Sequence, residues 1–350
     1  MALSDAVQVG FLTGCTVQVK HAGTAFLVIR SARRYSVANG MKTVVTGGAG
    51  FIGSNLVELL LDEGHTVLIL DDLSTGKTKN VSTLLDGRAC SLKQGSVTDL
   101  RLLKAIFQDV ECVFHQAAIP SVQRSVENPR ATHEVNVNGT LNVLLAARDC
   151  GVEKVIYASS SSVYGDTPTL PKQEEMLPTP KSPYAVSKLT GEYYCHVFAE
   201  VYGLKTVSLR YFNVYGPRQD PYSEYAAVIP RFITRILAHH PPVIYGDGAQ
   251  TRDFTFVKDV ARANLLAAER NVEGVCNIAC GVRISINELA ASIMELMGVE
   301  LEVRYDEPRP GDIKDSLADI ARAREALGFQ PEFALTEGLA ETIRWFQRPG

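Results

Sequence analysis

From Lys42 to Ala158 short apolar runs alternate with amphipathic stretches. Lys42-Thr43-Val44-Val45-Thr46 reads as a buried strand, and Ser54 to Glu63 as an amphipathic helix closed by Gly64-His65. Thr66-Val67-Leu68-Ile69-Leu70 reads as a second strand. Glu111-Cys112-Val113-Phe114-His115 is another, Thr132 to Cys150 a helix, and Glu153 to Ala158 a further strand. Such repetition predicts an α/β fold, a Rossmann-type doubly wound parallel sheet with helices on both faces and ligands at the carboxyl ends of the strands. The pattern changes near Pro217. Tyr222 to Val228 is irregular, a helix entered at Ile229 ends near His239-His240, and Pro241-Pro242 breaks it. Val243-Ile244-Tyr245-Gly246-Asp247-Gly248 reads as strand and turn, and Ser285 to Met297 and Thr336 to Phe346 have helical periodicity. A smaller C-terminal α/β lobe is therefore expected. Trp345 is expected to pack in the core or an interface.

Residues 1–40 stand apart. They carry Lys20, Arg30, Arg33 and Arg34 against a single acid, Asp5. Gly10-Phe11-Leu12-Thr13-Gly14 interrupts any apolar run of signal-peptide type, so an upstream extension is the preferred reading over a targeting peptide. A small hairpin from Val17-Gln18-Val19 and Phe26-Leu27-Val28-Ile29 is the other alternative. Residues 41–216 would form the Rossmann domain, with a returning segment at about 254–280, and 217–350 mainly the second lobe.

Composition narrows the function classes. The chain has 350 residues, a net charge of -4 and 46% hydrophobic residues, which gives no hint of a nucleic-acid surface. It contains no apolar run long enough to span a bilayer. Its seven scattered cysteines suit reduced thiols of a cytoplasmic protein. Cys276 and Cys280 lack companions at zinc spacing, so no metal site is expected.

The chemistry begins after the first strand, at Gly47-Gly48-Ala49-Gly50-Phe51-Ile52-Gly53. Glycines there permit a tight turn and let the backbone approach a pyrophosphate held at a helix N-terminus. The second strand ends at Asp71-Asp72, where a carboxylate can hold a ribose diol and would repel a 2'-phosphate. NAD is thus favoured over NADP. Gln116-Ala117-Ala118, at another strand end, leaves room for a flat ligand; His115 is expected to be packed rather than catalytic. The run Ser159-Ser160-Ser161-Ser162 offers hydroxyls on the same sheet edge. Downstream, Ser182 is a good N-cap, Pro183 suits the first helical position, and Tyr184 and Lys188 share one helix face. A lysine ammonium beside a tyrosine favours the phenolate and lowers its pKa from about 10, which makes an acid/base unit.

The glycine turn, the serine run and Y-x-x-x-K, in this order, resemble the extended short-chain dehydrogenase/reductase family from about Met41 to Gln347. Pro183 to Lys188, Leu209 to Pro217 and Arg252-Asp253-Phe254 are similar to the UDP-hexose 4-epimerases within it. The resemblance implies that Tyr184 is the general base toward the sugar 4-hydroxyl. Lys188 would bind the nicotinamide ribose, and Ser160 would be the catalytic serine, with Ser161 and Ser162 lining the sugar pocket. Further cofactor contacts would come from Gly47, Gly50, Phe51, Ile52 and Gly53, then from Asp71, Asp72, Ser74 and Gly76. Ser96, Val97, Gln116, Ala117, Ala118, Asn136 and Tyr211 would complete the NAD site. Ser96 stands where the family often has an aspartate facing the adenine.

For the substrate, the resemblance implies that Asn213, Arg252 and Arg309 meet a diphosphate and Asp312 a uridine ribose, with Ala227, Val228, Val243, Tyr245 and Ser316 alongside. Relatives that dehydrate or decarboxylate place acids just before V-Y-G; Ser161 and Ser162 stand there instead. Ser316 occupies a position that is a bulky tyrosine in epimerases restricted to UDP-glucose and UDP-galactose, and Arg218 to Pro221 and Tyr225 to Pro230 resemble the N-acetylhexosamine group. The expected reaction is C4 inversion of UDP-GlcNAc/UDP-GalNAc through a 4-keto sugar. UDP-glucose or UDP-glucuronate epimerisation and a silent NAD-binding regulator are the alternatives. Such relatives commonly dimerise through two helices, here Arg101 to Phe107 with neighbours and Leu189 to Val201.

Overall fold

The protein is described by a computed structural model covering residues 40–87, 89–221, 227–308 and 314–348. The readings on residues 1–39, on 222–226 and on Arg309 and Asp312 lie outside the described residues. Seven strands form the central sheet: β1 (Lys42–Thr46), β2 (Thr66–Asp71), β3 (Cys90–Gln94), β4 (Cys112–His115), β5 (Lys154–Ser160), β6 (Lys205–Tyr211) and β7 (Gly274–Ile278). Their spatial order is β3-β2-β1-β4-β5-β6-β7, every pair parallel. The order reverses between β1 and β4, which opens a crevice at their carboxyl ends. The expected doubly wound sheet is thus present.

Each face of the sheet is covered. On one, the Phe51–Asp62 and Val257–Glu269 helices bury Leu56, Leu60, Val260 and Ala263 against Val45, Ile69 and Val207. On the other, the Leu100–Ile106, Gly139–Cys150 and Pro183–Tyr202 helices pack Leu103, Val143 and Phe198 over Val44, Val113 and Val155. β1 is buried on both sides, which is why it reads as a continuous apolar run.

The stretch expected to be a helix from Thr132 to Cys150 is a Pro129–His133 helix, a wider turn at Glu134–Asn138, and the Gly139–Cys150 helix. The pattern does not single out β3, β6 or β7 as strands. β7 returns to the sheet after the Val257–Glu269 helix and lies beside β6. In the C-terminal part, the Val228–Leu237, Ile286–Met297 and Leu335–Phe346 helices share a core containing Phe232, Ile236, Leu289, Ile293 and Leu339. Ser285 caps the second of these in a capping box with Glu288. Val243–Tyr245 pairs in parallel with Arg304–Asp306. Among the described residues no helix is long and apolar enough to cross a membrane.

Candidate active site

The turn after β1 is shaped by contacts that only glycine allows. Gly47 has φ +70°, and a Cβ there would lie 2.7 Å from the Ala117 nitrogen at the end of β4. A Cβ on Gly53 would lie 2.1 Å from the Gly47 carbonyl oxygen. The chain therefore enters the Phe51–Asp62 helix pressed against the strand ends, and Gly50 gives that helix no side-chain cap. Its first-turn residues Phe51, Ile52 and Gly53 line a cleft of about 380 Å³ instead. This is a cradle for a diphosphate, with the helix N-terminus supplying N–H groups and positive potential.

Sixteen of the residues expected to meet a dinucleotide line this one cleft. They are Gly47, Gly50, Phe51, Ile52 and Gly53 from the turn; Asp71, Asp72 and Ser74 after β2; Ser96 and Val97 after β3; Gln116, Ala117 and Ala118 after β4; and Tyr184, Lys188 and Tyr211. Thr75, Gly95, Ile119, Pro120 and Val135 line it as well and carry no motif that would reveal them. Two expected contacts do not. Asn136 spends its amide on both backbone groups of Ile119, at 2.8 and 3.2 Å, and on the Ser187 hydroxyl. It fixes the loop after β4 rather than facing a ligand. Gly76 lies against Asp71, where a Cβ would come within 2.6 Å of the carboxylate.

Asp71 is buried, and burial pushes its carboxyl above the usual range, opposed by N–H bonds from Leu73 and Ala49. It thereby ties the glycine turn to the end of β2, where it lines the cleft. Ser96 hydrogen-bonds Thr98. His115 is packed, as expected: its ring bridges Thr46 (2.8 Å) and Thr140 (2.9 Å), and burial lowers its pKa to about 3.

The Pro183–Tyr202 helix begins as its sequence dictates, with the Ser182 hydroxyl accepting from the Ala185 N–H at 3.1 Å and Pro183 in the first turn. That start aims Tyr184 and Lys188 at the end of β5. The Ser160 hydroxyl lies near the Tyr184 phenol and favours its ionised form. Lys188 donates from Nζ to the Ala158 carbonyl at 2.8 Å and is 4% exposed. Ser160 also accepts from the Ser162 N–H, which shapes the Ser161–Tyr164 turn.

The protonation of this pair differs from the expectation. Burial raises the Tyr184 phenol, and the nearby Ser160 hydroxyl only partly offsets it. Burial also lowers Lys188 to about 8. The ammonium points at a carbonyl, 5.9 Å from the Tyr184 ring centre, so its charge does not overcome desolvation of the phenol.

Glu192 and Arg210 were missed by sequence reasoning. Glu192 lies one further turn along the Tyr184–Lys188 face and forms a buried two-pronged pair with Arg210 of β6, at 2.7 and 2.9 Å. It also accepts from the Ser159 hydroxyl. Lys188 and Glu192 thus engage Ala158 and Ser159, and Tyr184 lies near Ser160, the next residue of β5. The i, i+4, i+8 spacing was the available signal.

Beyond the cleft, Asn213 (φ +28°) directs its amide to the Ser316 hydroxyl at 3.4 Å and the Asp253 carbonyl at 3.3 Å. Arg252 donates to the Thr251 and Lys314 carbonyls. Tyr245 accepts from Arg231, on the helix that Ala227 caps and Val228 begins; Val243 is buried on the same short strand as Tyr245. Asn213, Arg252 and Ser316 are therefore gathered together. Among the described residues no group of three or more His, Cys, Asp or Glu side chains is placed to hold a metal ion.

Comparison with known proteins sets this geometry in a family. The NAD dependent epimerase/dehydratase family matches residues 43–279. The chain belongs to that family. Its cofactor is NAD, and the glycine cradle with Asp71 at the far end fits that group. The UDP-glucose 4-epimerase of Mycolicibacterium smegmatis is 43% identical over 88% of this chain and 99% of its own. The structure of the UDP-N-acetylglucosamine 4-epimerase from Methanobrevibacter ruminantium in complex with UDP-N-acetylmuramic acid superposes with a TM-score of 0.85 at 44% identity, covering 88% of this chain and 98% of that one. The Thermus thermophilus UDP-glucose 4-epimerase in complex with NAD gives 0.80 at 41%, covering 88% and 99%.

Proposed function

We propose that this protein is a UDP-hexose 4-epimerase whose preferred pair is UDP-GlcNAc and UDP-GalNAc. The observation that carries the reaction is the placing of Tyr184 and Lys188 together in the wall of the NAD cleft, with Ser160 near the phenol. Bound NAD supplies a reversible hydride acceptor for C4. The chain's own residues supply the rest. With the positive charges of Lys188 and of bound oxidised NAD offsetting the burial that raises the phenol, Tyr184 acts as phenolate, takes the proton of the 4-hydroxyl and returns it after inversion. Ser160 orients that hydroxyl, and Lys188 keeps positive charge beside the phenol and the nicotinamide ribose. The sugar passes through a 4-keto stage, with Asn213, Arg252, Arg309 and Asp312 anchoring the UDP while the hexose turns. In this reading residues 41–216, with the segment at about 254–280, hold NAD and residues 217–350 mainly hold the nucleotide sugar.

The substrate reading rests on Ser316. A serine at the Asn213 contact leaves space beside C2 of the hexose for an N-acetyl group, and no carboxylate stands at Ser161 or Ser162 for elimination or decarboxylation. Relatives act on UDP-glucose as well as UDP-N-acetylglucosamine, so UDP-glucose is the second reading. Incubation with UDP-GlcNAc, UDP-glucose and UDP-glucuronate, followed by anomeric NMR, tests both. The highest kcat/KM is expected for UDP-GlcNAc. Fastest turnover of UDP-glucuronate would defeat the amino-sugar assignment, and no inversion of any of the three would defeat the epimerase assignment.

A further inference from the structure

We propose that Asp253 is a positioning residue that sets the geometry of the sugar pocket at Ser316. The side chain sits between the short strands Thr251–Arg252 and Thr255–Phe256, and none of it is exposed. All its carboxylate partners among the described residues are backbone N–H groups. Oδ1 accepts from Cys280 at 3.0 Å, and Oδ2 accepts from Gly281 at 3.0 Å and Ala318 at 3.2 Å. Its own carbonyl accepts from Asn213 at 3.3 Å. One buried residue therefore joins the turn after β7, the segment carrying Ser316, and the loop carrying Asn213.

The connection to Ser316 is short on every side. The Ser316 N–H bonds the Thr251 carbonyl at 3.1 Å, and the Asn213 amide reaches the Ser316 hydroxyl. Ala318, two residues on, is held by Asp253. Moving the carboxylate moves the Ser316 wall relative to Asn213 and Arg252. A buried carboxylate is costly unless its acceptor capacity is used, and burial pushes this one up to about 6. Three converging N–H donors use that capacity. A neutral amide of the same size has one oxygen and an NH2 group, so it must face at least one of those donors with another donor.

This role rests on the UDP-hexose reading, and the test separates the two. Asp253→Asn is compared with the unaltered enzyme on UDP-GlcNAc and UDP-glucose, together with bound-NAD content. The expected result is a KM for UDP-GlcNAc raised roughly tenfold, the loss of about one charge-assisted bond, with kcat within about twofold and NAD content unchanged. An unchanged KM, or kcat and NAD content falling in step with KM, overturns the proposal. If the unaltered enzyme inverts neither sugar, it is the functional reading that fails. Hydrogen exchange on the unaltered protein carries the test should the variant not fold. Adding UDP should protect the amides of Cys280, Gly281 and Ala318 together, and protection at Ala318 alone refutes the coupling.

Discussion

Replacing Glu192 by Gln removes one negative charge from a buried part of the proposed catalytic wall. The side chains of Glu192 and Arg210 are 3% and 4% exposed, and two short hydrogen bonds join them. The substitution leaves the Arg210 guanidinium buried without its counter-charge, which costs about 3–5 kcal/mol. At roughly 2 cal/mol/K of unfolding entropy per residue, a chain of this size would lose about 4–7 °C in Tm. Replacing both partners, as in Glu192→Met with Arg210→Met, should recover most of that loss, because no unpaired charge remains.

The effect on Lys188 is separate from the effect on stability. Around its Nζ lie Tyr184 and Glu192 on its own helix, Tyr157 on β5, and His115 on β4, which is neutral. Desolvation lowers Lys188 to about 8, and Glu192 is the charge that opposes it. Charges on successive helix turns, about 6 Å apart at an effective dielectric near 20, interact by ~2.5 kcal/mol. Arg210 cancels part of that, so a downward shift of about one pH unit is expected in Glu192→Gln. The readout is kcat against pH. The unaltered enzyme should lose activity above about pH 8 as the ammonium deprotonates, and the variant's basic limb should lie at lower pH. If Glu192→Gln loses stability but its limb does not move, Glu192 is structural only and the electrostatic reasoning is wrong.

The other predictions are simpler. Tyr184→Phe should keep bound NAD and lower kcat by about 10²–10⁴-fold, the usual worth of a positioned acid/base; unchanged turnover would refute the assigned base. Lys188→Met should abolish efficient turnover yet stabilise the fold at pH 7 by up to about 3 kcal/mol, because the native pKa near 8 lies below the unfolded value of 10.5. The unfolded state binds the extra proton between those values, so this gain should fade as pH rises from 8 to 10.5; urea unfolding at pH 7 and pH 10.5 reads it. Tyr193, Val197 and Val201 are 57%, 45% and 65% exposed along one stripe of the Pro183–Tyr202 helix, a surface suited to a second copy of the chain. Sedimentation should find a dimer, and Val197→Glu with Val201→Glu should find a monomer of normal fold; a monomer at the outset refutes the assignment.

The contrast between what was legible in the chain and what was not has a physical cause. The glycine turn was readable because its constraint is local: a positive φ at Gly47 and a helix starting at Phe51 need particular residues at fixed offsets. Tyr184 and Lys188 were readable for the same reason, through Ser182, Pro183 and the four-residue spacing. Asn136 stands in the Glu134–Asn138 turn with its amide bonded to both backbone groups of Ile119, a contact across 17 residues that no local pattern announces. The protonation state was beyond local reading. Charge proximity is visible along a helix, whereas the desolvation that raises Tyr184 comes from elements far away in sequence. Asp253 is the extreme case. Its partners are the N–H groups of residues 280, 281 and 318, which every residue except proline possesses, so no side-chain pattern announces them. Glu192 lies between these limits, since its helix face could be read but its partner on β6 could not. In the reading proposed above, the acid/base unit has a third member along the helix, Glu192. It is this buried carboxylate, paired with Arg210, that favours the charged form of a lysine in a wall that otherwise disfavours charge.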